Sequence, residues 1–173
     1  MIFRTAITSD ADQITSLVNS AYRGESSKVG WTTEADLLGG QRTDRDKILE
    51  IIHDENSLIE MAVEGFEIVG LVHLKKEKGF LYFGMLTVKP TLQNKGIGKK
   101  LLSRIEECAS FWGYTKIRMT VIHQRRELIG YYERRGYQWT GETEPFPAHD
   151  PRFGLPKMDL IFYVFEKNLS AIP

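Results

Sequence analysis

The residues that follow Pro90 have the composition of an anion-binding turn. A strand-like segment stops at this proline, and a loop containing Gly96 and Gly98 leads into an amphipathic helix pattern. Glycines here let the backbone approach a ligand closely, since no Cβ atom stands in the way. The first N–H groups of a helix are unpaired and carry partial positive charge. Three cationic side chains add to it: Lys95, Lys99 and Lys100. The pattern predicts a pyrophosphate site.

Other interpretations of this turn compete with that prediction. Gly-X-Gly before a helix also occurs in a simple tight turn. The dinucleotide fingerprint needs a third glycine, where this chain has Leu101. The ATP-type loop needs a glycine five residues before Gly98, where this chain has Gln93. The remaining pattern is Gln-X-X-Gly-X-Gly after Val-X-Pro.

Two adjacent tyrosines, Tyr131 and Tyr132, lie on a second helix pattern. A phenol with its usual pKa of about 10 is protonated at neutral pH and can donate a proton to a leaving group. The alternative is that both rings pack in the core on the apolar side of the helix.

The elements that must position these residues are strands and helices in mixed order. Strands are predicted over 2–7, 57–63, 67–76, 79–88, 116–122, 137–141 and 159–166, and helices over 33–38, 97–112 and 127–135, with two more after caps at Ser9-Asp10 and at Thr43 or Asp44. Short turns at Gly65 and Lys78-Gly79 favour antiparallel hairpins. With no internal repeat, we predict one domain over 1–173, a mixed α/β (α+β) fold with a largely antiparallel sheet of about seven strands flanked by helices.

The Gln93–Gly98 pattern and the element order together resemble the GCN5-related N-acetyltransferase (GNAT) superfamily. The resemblance implies that the loop holds the pyrophosphate of acetyl-coenzyme A, a co-substrate. It implies coenzyme contacts by Gln93, Asn94, Lys95, Gly96, Ile97, Gly98 and Lys99, and backbone pairing of the pantetheine arm with Leu86, Thr87 and Val88. It also implies an oxyanion donor, a backbone N–H near Met85 or Leu86.

Residues 132–137 resemble a second family signature, Tyr-Glu-X-X-Gly-Phe/Tyr. This implies that Tyr132 lies near the coenzyme sulfur, and we expect it to act as the general acid. Many family members carry an asparagine seven residues earlier, where this chain has Arg125. A guanidinium suits a phosphate, so we expect Arg125 to contact the coenzyme. A solvated loop charge is the alternative.

The general base is less well defined than the acid. Residues 80–86 contain no carboxylate, although some family members place a glutamate there. His73, on the neighbouring strand, has an ordinary pKa of about 6.5 and is one candidate. Glu34 is the other, since the resemblance places its segment over the acceptor. A structural histidine, a solvated Glu34, a base reached through water, and no dedicated base are the alternatives.

Charge and composition exclude several classes of protein. The 23 Lys plus Arg balance the 23 Asp plus Glu, which argues against nucleic-acid binding through bulk charge. The basic residues gather at 89–104 and the acidic ones at 34–36 and 142–150, as an anionic coenzyme and a cationic amine would require. A single cysteine, Cys108, and unclustered histidines predict no metal site. No apolar run spans a membrane and no signal-peptide core is present, so we expect a cytoplasmic protein.

We therefore expect an N-acetyltransferase that moves an acetyl group to a primary amine by direct attack in a ternary complex. The acceptor would be a small molecule or a peptide. The alternatives are a non-catalytic coenzyme-binding sensor or interaction module, and a different nucleotide-binding enzyme. The last strand, 159–166, is predicted to be exposed and able to support a homodimer.

Overall fold

A seven-stranded sheet forms the centre of the computed structural model, which describes residues 1–170. In chain order the elements are β1 (Ile2–Thr5), α1 (Ala11–Tyr22), α2 (Gly24–Ser27), β2 (Leu38–Gly39), α3 (Arg45–His53), β3 (Ser57–Glu64), β4 (Glu67–Glu77), β5 (Phe80–Val88), α4 (Ile97–Phe111), β6 (Lys116–Ile122), α5 (Arg126–Glu133), β7 (Gln138–Pro145), β8 (Leu155–Pro156) and β9 (Ile161–Asn168). Short 3-10 turns cover Thr8–Asp10, Pro90–Leu92 and Pro151–Phe153.

The strand order is β1-β3-β4-β5-β6-β9-β7, and only the β5–β6 pair is parallel. The short strands β2 and β8 form a separate antiparallel ribbon. The predicted mixed α/β fold with a largely antiparallel sheet of about seven strands is confirmed.

Helices cover both faces of the sheet because each has an apolar stripe at helical spacing. Helices α1 and α3 bury Ile14 and Ile48 in one cluster with the β3 and β4 side chains Met61 and Leu71. Helix α4 buries the residues of its apolar stripe in a second cluster. The predicted cap Asp44 begins α3, since its carboxylate accepts the Lys47 N–H at 2.8 Å. These layers hold the sheet rigidly beneath the cleft.

The cleft opens where β5 and β6 separate. These strands pair only at Leu81 with Ile117 and at Tyr82 with Arg118. Beyond that point β5 bulges away from its β4 register, and Met85 adopts a left-handed conformation with φ 54°. A bulge redirects a strand, so the C-terminal half of β5 lines an opening instead of continuing the sheet.

Two expectations about secondary structure are wrong. Residues 33–38 form a single turn, in which the N–H groups of Leu37 and Leu38 donate to the Glu34 carbonyl at 2.9 Å. The turn does not continue as a helix because Leu38 pairs with Pro156. The last strand, β9, lies between β6 and β7, so its backbone groups are engaged on both sides and it is not an exposed edge. Strand β7 is the edge on this side of the sheet, and β1 is the other edge.

No helix of residues 1–170 combines the length and the apolar character needed to cross a membrane.

Candidate active site

Two cavities meet at the opening between β5 and β6. The loop cavity, of about 310 Å³, lies against residues 93–99. The central cavity, of about 370 Å³, lies beneath the segments 22–42 and 144–153. Both are lined by the same four side chains: Tyr22, Leu86, Leu128 and Tyr132. Groups bound in the two cavities would therefore meet at these residues.

The loop cavity is built from the turn into α4. Asn94 and Gly96 both have positive φ, 64° and 83°, a conformation that glycine adopts without strain. Backbone N–H groups in such turns point into a concavity and bind anions. The turn residues lining the cavity are Gln93, Asn94, Gly96, Ile97, Gly98 and Lys99. The structure therefore brings together all of the loop residues predicted around the pyrophosphate except Lys95, which is exposed beside them.

Gln93 is engaged with the protein itself. Its side-chain oxygen accepts the Trp31 N–H at 2.9 Å, and its amide donates to the Val88 carbonyl at 3.2 Å. The Trp31 ring lies 5.6 Å from the Tyr131 ring. Gln93 thus holds the segment around Trp31 across the loop cavity, and this leaves the backbone turn and Lys99 to face an anion.

Arg135 also lines the loop cavity, which sequence reasoning missed. Its guanidinium lies 3.5 Å from the centroid of the Tyr131 ring. The predicted helix 127–135 already contained this signal, because residues four apart lie on one face of a helix. In the structure α5 ends at Glu133, and Arg135 lies in the turn that follows. Arg135 and Lys99 are the cationic side chains that line this cavity.

Backbone groups of β5 line the opening. Leu86 and Val88 face the loop cavity, and Met85 lines the central one. Thr87 is 1% exposed, and its hydroxyl donates to the Met85 carbonyl at 2.9 Å. Its side chain therefore stabilises the bulge. Tyr22 donates its hydroxyl to the Leu86 carbonyl at 2.7 Å and so fixes α1 against the bulge.

Tyr132, like Leu86, is a predicted residue that lines both cavities. Its side chain is 5% exposed, and burial raises the pKa of the phenol well above its ordinary value. Unlike Tyr22, it has no hydrogen-bond partner among residues 1–170. Tyr132 therefore presents a protonated hydroxyl where the cavities join.

Glu34 lies in a buried triad with two arginines. One carboxylate oxygen accepts a hydrogen bond from Arg23, and the other accepts one from Arg125 at 2.8 Å. The three side chains are 4–8% exposed. The guanidiniums also donate to the Phe153 carbonyl and to the Thr32 hydroxyl, at 2.8 and 2.7 Å. The triad joins the segments around 23, 34 and 125 into one wall of the central cavity.

The triad engages two residues for which the sequence predicted other roles, Arg125 and Glu34. Arg125 lines the central cavity and is engaged by Glu34, whereas we expected it beside a coenzyme phosphate. Glu34, a candidate base in the segment over the acceptor, is neither solvated nor free, since both of its oxygens accept hydrogen bonds from guanidiniums. The reason is that a buried carboxylate requires compensation by opposite charges and hydrogen bonds.

His73 lies outside the central cavity, in a neighbouring one that contains Ser57 and Lys75. Its Nε2 is 3.1 Å from the Ser57 hydroxyl. Burial, followed by the positive charges of Lys75 and Arg42, lowers its pKa to about 4. The ring is therefore uncharged at neutral pH, and Tyr82 and Gly84 separate it from the cleft.

We predict that His73 makes the protein less stable in acid. Below pH 6.5 the unfolded chain protonates this histidine, while the folded chain does so only near pH 4. Stability is therefore complete above pH 6.5 and falls as the pH drops towards 4, by up to about 3 kcal/mol. Urea unfolding of wild type and His73→Gln at pH 7.5, 5.5 and 4 tests this. A loss between pH 7.5 and 4 that is equally steep in the variant would contradict the prediction.

Within residues 1–170, no group of three His, Cys, Asp or Glu side chains is arranged to hold a metal ion. Cys108 is buried on α4.

The comparisons with known proteins agree with this architecture. Residues 34–146 match the family model of the acetyltransferase (GNAT) domain. No curated protein matches the sequence. Among solved structures, smu.2055 from Streptococcus mutans UA159 superposes with a TM-score of 0.73 at 18% identity, covering 98% of this chain and 100% of that one.

Two further structures are similar. An N-acetyltransferase from Staphylococcus aureus Mu50 has a TM-score of 0.71 at 17% identity, covering 98% of both chains. The protein yncA from Salmonella typhimurium, solved with its cofactor acetyl-CoA, has a TM-score of 0.70 at 20% identity, covering 100% of this chain and 96% of that one. At these identities the likenesses show the fold. The family model spans more than half of the sequence, and the chain belongs to the GNAT family of acetyltransferases.

Proposed function

We propose that this protein transfers an acetyl group from acetyl-coenzyme A to a primary amine by direct attack in a ternary complex. The observation that carries the proposal is the meeting of the loop cavity and the central cavity at Tyr132 and Leu86. A donor and an acceptor bound in separate cavities would touch there without a covalent enzyme intermediate. The coenzyme complex of the structurally similar yncA supports the choice of donor.

The loop cavity fits the pyrophosphate of a coenzyme. The turn that lines it has positive φ at Asn94 and Gly96, as anion-binding turns do, and the N-terminus of α4 adds partial positive charge. Lys99 and Arg135 supply formal charge. The part of the loop cavity between Gly98 and Tyr131, which we call the cradle, is narrow, since a Cβ atom at Gly98 would lie 3.0 Å from the Tyr131 hydroxyl. The length of β5 that does not pair with β6 would supply backbone partners to the pantetheine arm, in addition to the bonds that the Leu86 and Val88 carbonyls already accept from Tyr22 and Gln93.

We predict that Gly98→Val weakens binding of acetyl-coenzyme A about tenfold or more. The added side chain would meet the Tyr131 hydroxyl and fill the cradle. Calorimetric titration measures the change. Gly130→Val on α5 is the matched control, because a Cβ there would meet only the flexible end of Arg134, at 3.1 Å. Equal affinities for Gly98→Val and Gly130→Val would show that the cradle does not hold the coenzyme.

Each residue at the junction has one step in the proposed mechanism. The thioester supplies an activated acetyl carbonyl, whose developing oxyanion is stabilised by backbone N–H groups at the Met85–Leu86 bulge. The neutral amine forms the new C–N bond as the C–S bond breaks. Tyr132 donates its proton to the departing thiolate. The proton that the amine loses returns the phenol to its protonated form or leaves to solvent, so the products are an amide and a free thiol.

Proton removal from the amine does not use Glu34 or His73 in this proposal. Glu34 is held between two guanidiniums, and His73 faces another cavity. The remaining carboxylate that lines the central cavity is Glu144, which has no ion-pair partner within residues 1–170. We assign Glu144 the attraction of the incoming ammonium group, which loses its proton before attack.

The test combines binding and turnover on one protein preparation. Calorimetry with acetyl-coenzyme A measures donor binding, and thiol release over polyamines, amino acids, aminoglycosides and peptides measures transfer. Binding together with acceptor-dependent thiol release supports the proposal. Binding without thiol release on any amine would instead indicate a coenzyme sensor. Binding of ATP or NAD in preference to the coenzyme would overturn both.

A further inference from the structure

The central cavity contains more positive than negative charge. Three guanidiniums line it, from Arg23, Arg42 and Arg125, together with two carboxylates, from Glu34 and Glu144. With all five groups ionised, the sum is one positive charge. A cavity built only for a cationic amine would carry the opposite sign. The surplus therefore indicates that the acceptor brings a negative charge of its own.

The surplus resides on Arg42. The Glu34 carboxylate is shared by Arg23 and Arg125, and Arg125 also lies 3.7 Å from the carboxylate of Glu127, which does not line the cavity. Arg42, in contrast, has no ion-pair partner within residues 1–170. Its guanidinium lies over the Tyr22 ring, 5.3 Å from the centroid, and the side chain is half-buried. This stacking holds the guanidinium at the cavity wall, where its donors have no acceptor among residues 1–170.

The arginines of the triad also have hydrogen-bond donors that no described residue uses. The Nε atoms of Arg23 and Arg125 are buried and have no hydrogen-bond partner among the described residues; that of Arg125 is 3.7 Å from a Glu127 carboxylate oxygen, so Arg23 has the fully unpartnered donor. A buried donor without a partner is costly, so such groups normally mark a ligand or a water. A carboxylate beside Arg42 would bring acceptor oxygens to the same wall.

Most of the remaining wall is apolar. Its side chains include Phe83, Met119, Leu128, Phe146, Phe153 and Phe162. An apolar surrounding lowers the local dielectric constant and strengthens the attraction between a guanidinium and a carboxylate. It also suits a ligand with an apolar body.

Arg42 is also close to the reacting end of the cavity. The Tyr22 ring beneath Arg42 carries the hydroxyl that donates to the Leu86 carbonyl at 2.7 Å. One side chain therefore connects the anion-binding position with the bulge where the acetyl group would arrive. A small amino acid could therefore place its carboxylate at Arg42 and its amine at the bulge.

We propose that the acceptor is a small amino carboxylate with an apolar body, whose carboxylate is bound by Arg42 and whose amine lies on the side of Glu144 and the β5 bulge. This inference rests on the proposed acetyl transfer and narrows its acceptor class. Polyamines, aminoglycosides and internal peptide amines lack the carboxylate and are poor acceptors on this view.

The kinetic test compares matched acceptors. L-Phenylalanine is paired with L-phenylalaninamide, and 6-aminohexanoate with 6-aminohexanamide, so that two spacings between amine and carboxylate are covered. The ratio of kcat/KM for acid over amide is measured in wild type and in Arg42→Gln. Dividing the two ratios cancels the different basicity of the amines. We expect the ratio to fall about tenfold or more in Arg42→Gln. Arg45→Gln, an exposed arginine paired with Asp12, is the control and leaves the ratio unchanged.

A binding test needs no turnover. 3-Phenylpropanoate and hexanoate lack the amine and are compared with their amides by calorimetry. We expect each carboxylate to bind wild type about tenfold more tightly than its amide, and Arg42→Gln to remove the difference. Thermal melting of Arg42→Gln without ligand establishes that the variant is folded.

The outcomes separate the two proposals. Carboxylate binding that depends on Arg42, without thiol release on any amine, would overturn the acetyl transfer and retain the anion site. Thiol release with amides or polyamines favoured, and unaffected by Arg42→Gln, would retain the transfer and overturn the amino carboxylate. Absence of any carboxylate preference in both tests also overturns it.

Discussion

Replacement of Glu34 by glutamine is expected to lower the free energy of unfolding by about 3–5 kcal/mol. The wild-type carboxylate is 6% exposed and is the anion that both Arg23 and Arg125 contact. Glutamine keeps the shape of the side chain but removes the charge, so the Arg23 guanidinium stays buried without an anionic partner and Arg125 keeps only Glu127, at 3.7 Å. Equilibrium urea unfolding at neutral pH measures the loss.

The control for this experiment is Glu25→Gln. Glu25 also forms an ion pair, with Lys28, but the two side chains are 90% and 46% exposed. Exposed pairs contribute at most about 1 kcal/mol, so this variant should unfold almost as wild type does. A similarly small loss for Glu34→Gln would mean that the triad does not support the wall of the central cavity.

Tyr132→Phe is expected to lower kcat by about 10²- to 10⁴-fold, with little change in the affinity for acetyl-coenzyme A. Phenylalanine preserves the ring that packs between Phe83 and Tyr137, at 6.1 and 5.8 Å, and removes only the proton donor. Steady-state thiol release and coenzyme titration together separate turnover from binding. Unchanged turnover would remove the acid role of Tyr132.

Tyr137→Phe is the matched control for that variant. Tyr137 belongs to the same aromatic cluster, lines neither cavity, and has a buried hydroxyl without a partner among the described residues. Loss of this hydroxyl should leave kcat unchanged. An equal decrease in both variants would indicate that packing of the cluster, and not proton donation, controls the rate.

The pH dependence of kcat gives an independent test of Tyr132. The protonated phenol is the donating form, and burial raises its pKa well above the ordinary value. Raising this pKa extends the donating range upward, so deprotonation of Tyr132 should produce no fall in kcat between pH 7 and about 10. A decrease in that interval that disappears in Tyr132→Phe would contradict the assigned environment.

The buried triad also explains why the distribution of charges along the sequence does not give the sign of the charge in the central cavity. The acidic residues near 34–36 and 142–150 indicated a site for a cation. In the folded chain Glu34 is matched by Arg23, 11 residues away in the sequence, and by Arg125, 91 residues away. Arg42 then adds a further positive charge. The sign of the cavity therefore depends on which charges pair, and pairing is a tertiary property.

Local patterns were sufficient for much of the fold. Hydrophobic periodicity, the Asp44 cap and the short turns located most helices and strands, because these signals depend on near neighbours. The predicted helix over 33–38 is wrong because the end of this segment pairs, in the β2–β8 ribbon, with residues more than 100 positions away. The position of β9 between two strands was equally hidden from local signals.

Residue types at short, constant spacing were enough to predict the family and to single out the loop at 93–99 and Tyr132, both of which line the cleft. The roles open to Glu34, Arg125 and His73, and the presence of Arg42 in the cavity wall, could be seen only in the folded chain. Ionisation and hydrogen bonding depend on burial and on neighbours that are far away in the sequence, so local patterns do not encode them. The chain as a whole has no net charge, so the charge of the cleft depends on which side chains remain unpaired there after folding.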